Sequence, residues 1–158
     1  MQAEIIAIGT EILLGEIIDT NSAWIAQRLP ALGIDLNYTS VVGDNKQRID
    51  EIFKRAWERS DLIITTGGLG PTADDMTREG ICVLLGEEPE INEELETKLR
   101  SFFSRRDYTM PESNLKQAWL IPSATAINNP RGTAPGWWVE RDKRIIISMP
   151  GVPSEMER

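Results

Sequence analysis

The chain has 158 residues, of which 41% are hydrophobic and 27% are charged, a balance typical of soluble globular domains. It carries 25 acidic and 17 basic residues, a net charge of −8, which argues against a broad basic surface for binding nucleic acid. The absence of histidine excludes histidine-based metal sites, triads and general bases, and the single cysteine excludes an internal disulfide.

The first half of the sequence alternates between strand and helix patterns. A continuous aliphatic run at 3–9 predicts a strand that is buried on both faces. No basic segment precedes it and no apolar run is long enough to cross a bilayer, so we expect a cytoplasmic protein without a signal peptide or membrane contact. Helices are predicted at 19–29, 47–60 and 75–86, and further strands at 34–42 and 61–68. This alternation favours a parallel sheet covered by helices on both faces.

The last third of the sequence has a different pattern. A charged helix is predicted at 91–105, a short helix at 112–121 and a turn-rich connection at 124–136. The segment 136–151 predicts a hairpin, which would add antiparallel pairing to the sheet. Another helix begins near the end of the chain. We therefore expect one domain over 1–158 that is part of a longer protein.

A glycine-rich stretch, TTGGLGPTADD, follows the third predicted strand. Gly67, Gly68 and Gly70 allow positive φ and close backbone approach, so that successive N–H groups can face one phosphate, and the next helix adds its positive dipole end. Asp74 and Asp75 would repel that phosphate unless a divalent cation lay between them. A plain tight turn with a carboxylate that caps the helix is the alternative interpretation.

Two further acidic residues follow predicted strands, at the edge where ligands bind in open α/β sheets. Glu11 follows the first strand and Asp44 follows the second. Together with Asp75 they are candidate catalytic residues and candidate ligands for a divalent ion such as Mg²⁺, Mn²⁺ or Co²⁺. The alternatives are a helix-capping or solvated acid for Glu11 and an Asx-turn for Asp44.

Other residues near this edge are candidate contacts for phosphate or for a base. Asn114 and Gln117 are three residues apart, hence on one helix face, and could hydrogen-bond the edge of a base or pterin, although solvated polar residues are the alternative. Two loops rich in glycine and proline add Thr133 and Ser154, and either loop could be a structural connection. The full set of ligand-binding candidates is Thr66, Gly67, Gly68, Leu69, Gly70, Thr72, Asn114, Gln117, Thr133, Gly151 and Ser154.

Taken together, these motifs resemble those of a known family. The chain closely resembles the N-terminal domain of the competence/damage-inducible protein CinA in a set of motifs that occur in the same order: GTEILLG, TN at Thr20 and Asn21, VVGDN, TTGGLGPTADDMT, NLKQA, NPRGTAPG and PGVPSE. That domain belongs to the molybdopterin-binding MoaB/MogA/MoeA-like superfamily, and the resemblance covers essentially the whole chain. It implies a three-layer αβα sandwich with a mostly parallel sheet and an antiparallel C-terminal hairpin. It also implies that Asp44 and Asp75 lie at the active site.

The resemblance implies two alternative activities. CinA-type domains are associated with metal-dependent hydrolysis of ADP-ribose at its pyrophosphate, which gives AMP and ribose 5-phosphate, often beside a C-terminal nicotinamide-nucleotide amidase domain. The molybdenum-cofactor relatives instead bind molybdopterin, and some adenylylate it. We therefore expect either a nucleotide-pyrophosphate hydrolase or a molybdopterin- or nucleotide-binding module without hydrolysis. Since superfamily relatives form dimers or trimers, self-association is expected too.

Overall fold

A six-stranded sheet forms the centre of the fold in this computed structural model, which describes residues 1–157. The strands of the chain are β1 (Gln2–Ile8), β2 (Asp35–Val42), β3 (Leu62–Thr66), β4 (Glu90–Ile91), β5 (Trp119–Leu120), β6 (Ala124–Ile127), β7 (Gly136–Arg141) and β8 (Arg144–Met149). The large sheet has the order β2-β1-β3-β8-β7-β6, and β4 pairs with β5 in a small separate sheet. β2, β1, β3 and β8 run parallel, whereas β7 is antiparallel to both of its neighbours. The predicted mostly parallel sheet with an antiparallel hairpin is confirmed.

Helices cover both faces of this sheet. They are α1 (Thr10–Leu13), α2 (Thr20–Ala26), α3 (Lys46–Arg59), α4 (Thr77–Leu85), α5 (Glu93–Ser104), α6 (Pro153–Met156) and two 3-10 helices, Leu29–Leu32 and Glu112–Ala118. α3 and α4 pack over one face, on a core that includes Ile6 and Ile146, and α2 and α6 pack over the other, on a core that includes Ile5 and Ile64. The three layers agree with the predicted αβα sandwich. Every helix within residues 1–157 is too short or too polar to span a bilayer.

A buried ion pair lies near the amino ends of the strands. Glu4 is fully buried in β1 and accepts hydrogen bonds from Arg59 Nε at 2.8 Å and Arg59 Nη2 at 2.6 Å. Ser40 and Ser60 hydroxyls also donate to this carboxylate. A buried charge is tolerated because its partners supply these hydrogen bonds. The candidate site lies at the opposite end of the sheet, where the parallel strands have their carboxyl ends.

The structure corrects several element boundaries. The connection predicted at 124–136 contains β6, which pairs with β7 and extends the hairpin to three strands. The short helix predicted at 112–121 is a 3-10 helix that ends at Ala118 and leads into β5. The helix predicted from residue 75 begins at Thr77, since the Asp75 side chain turns back to Thr72.

The first loop and the first long helix also differ from prediction. GTEILLG contains the short helix α1. The helix predicted at 19–29 ends at Ala26, and the proline at position 30 lies in a following 3-10 helix that ends at Gly33 with φ 68°. Proline lacks the N–H that a continued α-helix would need there. The Asp19 side chain caps the start of this helix, since it accepts a hydrogen bond from Ser22 N at 2.9 Å.

Candidate active site

The loops that follow β1, β3 and β8 meet at one edge of the sheet. These strands are neighbours in the sheet and run in the same direction, so their carboxyl ends are adjacent. Gly67 N donates to Met149 O at 3.1 Å, and a Cβ atom on Gly151 would lie only 3.2 Å from Gly67 Cα. The backbone of the β3 loop therefore packs directly against the backbone of the β8 loop.

A cavity of about 630 Å³ opens at this edge. Five carboxylates line it, those of Glu11, Asp44, Asp74, Asp75 and Glu155, together with the backbone of Gly67 to Gly70 and of Gly151. No lysine or arginine is among the lining residues within the described chain. The structure thus brings the predicted glycine turn and the three predicted acids to one cavity, but it surrounds them with negative charge.

The glycine turn, which lines this cavity, has backbone N–H groups without an acceptor among the described residues. Gly67 and Gly68 have φ of 97° and 66°, and a Cβ atom would lie 2.2 Å from Ile8 O at the first position and 2.2 Å from Thr77 Oγ1 at the second. Thr77 fixes the turn, since its hydroxyl donates to Gly67 O at 2.7 Å. Within residues 1–157, the amides at positions 68, 69 and 70 donate to no acceptor. They are therefore available to bind an anion.

Asp44 and Asp75 are held by neighbouring groups. Asp44 Oδ2 accepts from Thr10 N at 2.9 Å, and Asp44 N donates to Thr10 Oγ1 at 3.0 Å. Asp75 Oδ2 accepts from Thr72 N at 2.9 Å and from Thr72 Oγ1 at 2.6 Å. Both carboxylates keep their second oxygen outside these hydrogen bonds. The second oxygen of each carboxylate is therefore free of these hydrogen bonds and can accept a further donor or contact a cation.

Several carboxylates of the cavity fold back over glycines. A Cβ atom on these glycines would lie within 2.2 to 2.6 Å of a carboxylate oxygen, in the pairs Gly9 with Glu11, Gly70 with Asp75 and Gly132 with Glu155. In this arrangement, no group of three or more acidic or cysteine side chains within residues 1–157 is placed to hold a metal ion. The oxygen donors are chemically suited to a hard divalent cation. Their side chains would have to turn away from the glycines to bind it together.

Gln117 and Thr133, two of the predicted ligand contacts, line the same cavity. Gln117 is 2% exposed, and its Oε1 accepts from Asn114 Nδ2 at 3.0 Å. The alternative of solvated polar residues is therefore wrong for this pair, although Asn114 itself does not reach the cavity. A second cavity of about 800 Å³ shares Gln117 and Thr133 and extends along α5, where Phe102 and Arg105 line it. The two cavities form adjoining parts of one cleft.

Four predicted ligand contacts, Thr66, Thr72, Asn114 and Ser154, do not line the first cavity. The Thr66 hydroxyl accepts from Asn21 Nδ2 at 2.7 Å and donates to Pro150 O at 3.2 Å. The same Asn21 amide donates to Gly151 O at 2.9 Å, so this cluster fixes the β8 loop from behind. Ser154 is exposed.

Sequence reasoning missed other residues of the site. Asp74 and Glu155 line the cavity but were not predicted as site residues, although both lie within the quoted motifs. Lys116 was missed as well. Its Nζ lies 2.6 Å from Glu79 Oε1 and donates to the carbonyl oxygens of Thr72 and Asp75. Lys116 lies within the NLKQA motif, but residue type alone does not reveal that it fixes the acidic loop through its backbone.

Comparisons with known proteins identify the family of this chain. Residues 4–158 match the family model described as "Probable molybdopterin binding domain". A "CinA-like protein" from Thermomicrobium roseum is 51% identical over 158 residues, which is 100% of this chain and 39% of that protein. A crystal structure of the protein CinA, of unknown function, from Thermoplasma acidophilum superposes with a TM-score of 0.91 at 38% identity, over 99% of this chain and 93% of that one.

A more distant structure shares the fold. The molybdopterin biosynthesis enzyme MoaB from Thermus thermophilus superposes with a TM-score of 0.63 at 22% identity, over 98% of this chain and 84% of that one. This likeness concerns the fold alone. The relative from Thermomicrobium roseum is much longer than the region matched, since this chain spans about two fifths of its length.

Proposed function

The chain belongs to the family described as "Probable molybdopterin binding domain", in its CinA-type branch, and we propose that its cavity binds and hydrolyses a nucleotide diphosphate such as ADP-ribose with a divalent cation. The products would be AMP and ribose 5-phosphate. The observation that supports this proposal is the occurrence of unpaired backbone amides and several carboxylates in one cavity. The amides suit the diphosphate, and the carboxylates suit a cation beside it.

In this proposal the diphosphate lies against the glycine turn. The amides at positions 68 to 70 donate to its oxygens, because they have no other acceptor within residues 1–157. The backbone conformation is fixed by Thr77 and by the close approach of Ile8, so little reorganisation is needed when the anion binds. These donors hold the two phosphates in a defined position for cleavage.

Glu11, Asp44 and Asp75 are the proposed ligands of the cation. When bound, a divalent cation would offset the negative charge between these carboxylates and the phosphates, and would stabilise charge that develops during cleavage. Asp44 would keep its anchoring hydrogen bond to Thr10 and use its second oxygen for the cation. Asp75 would turn away from Gly70. Glu11 would leave its position over Gly9.

The remainder of the ligand is proposed to occupy the adjoining cavity. Gln117 and Thr133 lie where the two cavities meet, so they are placed to contact the nucleoside next to the diphosphate. The second cavity has no carboxylate among its lining residues within the described chain. A nucleoside that extends from the diphosphate can enter it without meeting further acidic groups.

Binding without hydrolysis is the second candidate function. It is favoured by the observation that the acidic side chains lie over glycines and do not converge on a common point. The amide cradle alone is sufficient to bind a nucleotide or the phosphate of a molybdopterin. This candidate predicts saturable binding and no products with any divalent ion.

The experiment that tests the proposal measures release of AMP from ADP-ribose in the presence of Mg²⁺, Mn²⁺ or Co²⁺, with products separated by chromatography. Asp44→Asn and Asp75→Asn should each reduce turnover by more than about a hundredfold. The asparagine side-chain oxygen can still accept from Thr10 or Thr72, so both variants should fold. Asp142→Asn is the matched control, because it removes an exposed carboxylate in the β7–β8 turn.

The outcomes separate the two candidates. Turnover in Asp142→Asn and its loss in the two site variants would support hydrolysis at this cavity. Undiminished turnover in Asp44→Asn or Asp75→Asn would reject the assigned roles. Binding of ADP-ribose without products in the unmodified protein would favour the binding module.

Two partner proposals concern larger assemblies. We propose that a further domain, of the nicotinamide-nucleotide amidase type, accompanies this one in the full-length protein, since this chain spans 39% of the relative from Thermomicrobium roseum. We also propose that copies of the chain self-associate. Sedimentation equilibrium of the isolated domain tests the second proposal, and a purely monomeric mass would reject it.

A further inference from the structure

Arg78 is an arginine buried within the fold, behind the glycine turn. Its exposed fraction is 0%, although it is a charged residue near the start of α4. Nη1 donates to Leu69 O at 2.8 Å and Nη2 donates to Pro135 O at 3.1 Å. The guanidinium lies 5.8 Å from the centre of the Trp137 ring. Its Nε has no hydrogen-bond partner within residues 1–157.

No carboxylate neutralises this guanidinium directly. Within residues 1–157 its hydrogen-bond acceptors are the two carbonyl oxygens alone. The acidic residue next to it in sequence, Glu79, forms its ion pair with Lys116 at 2.6 Å. Burial lowers the pKa of Arg78 to about 10, which leaves the group charged at neutral pH. A charge away from water is screened less than one at the surface, so its field extends further.

The two carbonyl groups bound by Arg78 belong to two different loops beside the candidate site. Leu69 lines the first cavity, and Pro135 follows Ala134, which also lines it. The carbonyl of Leu69 is in the same peptide group as the unpaired N–H of Gly70. A hydrogen bond from a cation to that carbonyl polarises the peptide group and makes its N–H a stronger donor.

We propose that Arg78 is a positioning residue that prepares the acid-lined cavity for a diphosphate, by joining its two loops and by strengthening the Gly70 amide as an anion donor. This inference rests on the proposed function, because it concerns the same diphosphate. It explains how a cavity lined by five carboxylates and no basic side chain within the described chain accepts an anion. The required positive charge lies inside the fold, where salt screens it less than at the surface.

The test compares the affinities of Arg78→Met, Arg78→Lys and the unmodified protein for two simple probes, inorganic pyrophosphate and Mn²⁺, each measured alone. Calorimetry suits pyrophosphate, and electron paramagnetic resonance suits Mn²⁺. Arg144→Met is the matched control, since it also removes one positive charge but lies at the opposite end of β8. Urea unfolding and circular dichroism establish that each variant is folded.

We expect Arg78→Met to change the affinities for the two probes differently. Arg78→Met should weaken pyrophosphate binding by about tenfold or more, since hydrogen bonds that involve charge contribute at this level. It should leave Mn²⁺ binding unchanged or stronger, because a positive charge near the carboxylates has been removed. The control should change neither affinity. A role confined to supporting the fold would weaken both probes together, and that result would overturn the inference.

Arg78→Lys covers the case in which Arg78→Met does not fold. It keeps the charge but cannot donate to both loops in the same geometry, so pyrophosphate binding should weaken while Mn²⁺ binding stays constant. Unchanged pyrophosphate binding in a folded variant would overturn the inference and leave the proposed function standing. Absence of pyrophosphate binding in the unmodified protein would overturn this inference, and metal-dependent release of AMP from ADP-ribose would then leave the proposed function standing.

Discussion

Gly68→Ala should destabilise the protein because the new methyl group has no space. A Cβ atom at this position would lie 2.2 Å from Thr77 Oγ1. That hydroxyl cannot move away, since Thr77 is fully buried and donates to Gly67 O at 2.7 Å. Alanine would also have to keep a φ of 66°, which favours glycine.

The two contributions can be separated with a second glycine. Gly86 has a φ of 64°, and a Cβ atom there would meet nothing within 4 Å. Gly86→Ala should therefore lose about 1–2 kcal/mol of unfolding free energy from backbone strain alone. Gly68→Ala should lose the same amount plus about 1–3 kcal/mol for the overpacked methyl group. Urea unfolding monitored by circular dichroism measures both losses.

A double variant tests the cause. Thr77→Ala removes the clashing hydroxyl, after which the atoms nearest to the new Cβ would be Thr77 Cβ and Ile8 Cγ2, both at 3.3 Å. Gly68→Ala with Thr77→Ala should consequently be less destabilised than the sum of the two single variants. Strictly additive losses, or equal losses at Gly68 and Gly86, would refute the steric reasoning.

Other predictions concern stability and reactivity away from the cavity. Arg59→Met should cost about 3–5 kcal/mol in urea unfolding, because it leaves Glu4 buried and unpaired, and adding Glu4→Gln should restore part of this loss. Burial raises the pKa of the Cys82 thiol to about 11 from a usual 9.0, so at pH 8 iodoacetamide should alkylate the folded protein about a hundredfold more slowly than the unfolded chain. Burial opposes ionisation of Glu87, but hydrogen bonds, first those from Ser123, outweigh it and lower its pKa. The ionised Glu87 should therefore stabilise the fold at pH values above the ordinary glutamate pKa, and this stabilisation should be lost as the pH falls through the lowered pKa. Glu87→Gln should consequently destabilise the protein at pH 7 but not in strong acid.

The edge of the sheet that carries the candidate site could be predicted from the sequence, because strand direction alone determines it. Because 3–9 and 61–68 are predicted to be parallel strands, the loops that follow them must lie at the same edge of the sheet. The glycine turn was recognisable as well, since glycine there permits a conformation that other residues avoid. β6 was missed because its four residues, Ala124–Ile127, lie in a stretch dominated by turn-forming residues.

The orientation of individual side chains was not predictable. Thr65 and Thr66 are adjacent, yet they point to opposite faces of β3. The Thr66 hydroxyl accepts a hydrogen bond from Asn21 and is not directed to a ligand. Asp75 turns back onto Thr72, which depends on the local loop conformation. Arg78 is fully buried although it is charged, which no local sequence pattern indicates. Tertiary packing determines these side-chain orientations, and local sequence patterns do not reveal them.

The amide of Asn21 connects residues that are far apart along the chain. Its contact with Gly151 spans 130 residues, and its contact with Thr66 spans 45. During synthesis, a ribosome must therefore complete nearly the whole domain before the ligand-binding edge can close. A shorter intermediate that lacks β8 can form β1, β2 and β3 but lacks the contact of Gly67 with Met149, so ligand-dependent protection from proteolysis should begin only when the last strand has emerged.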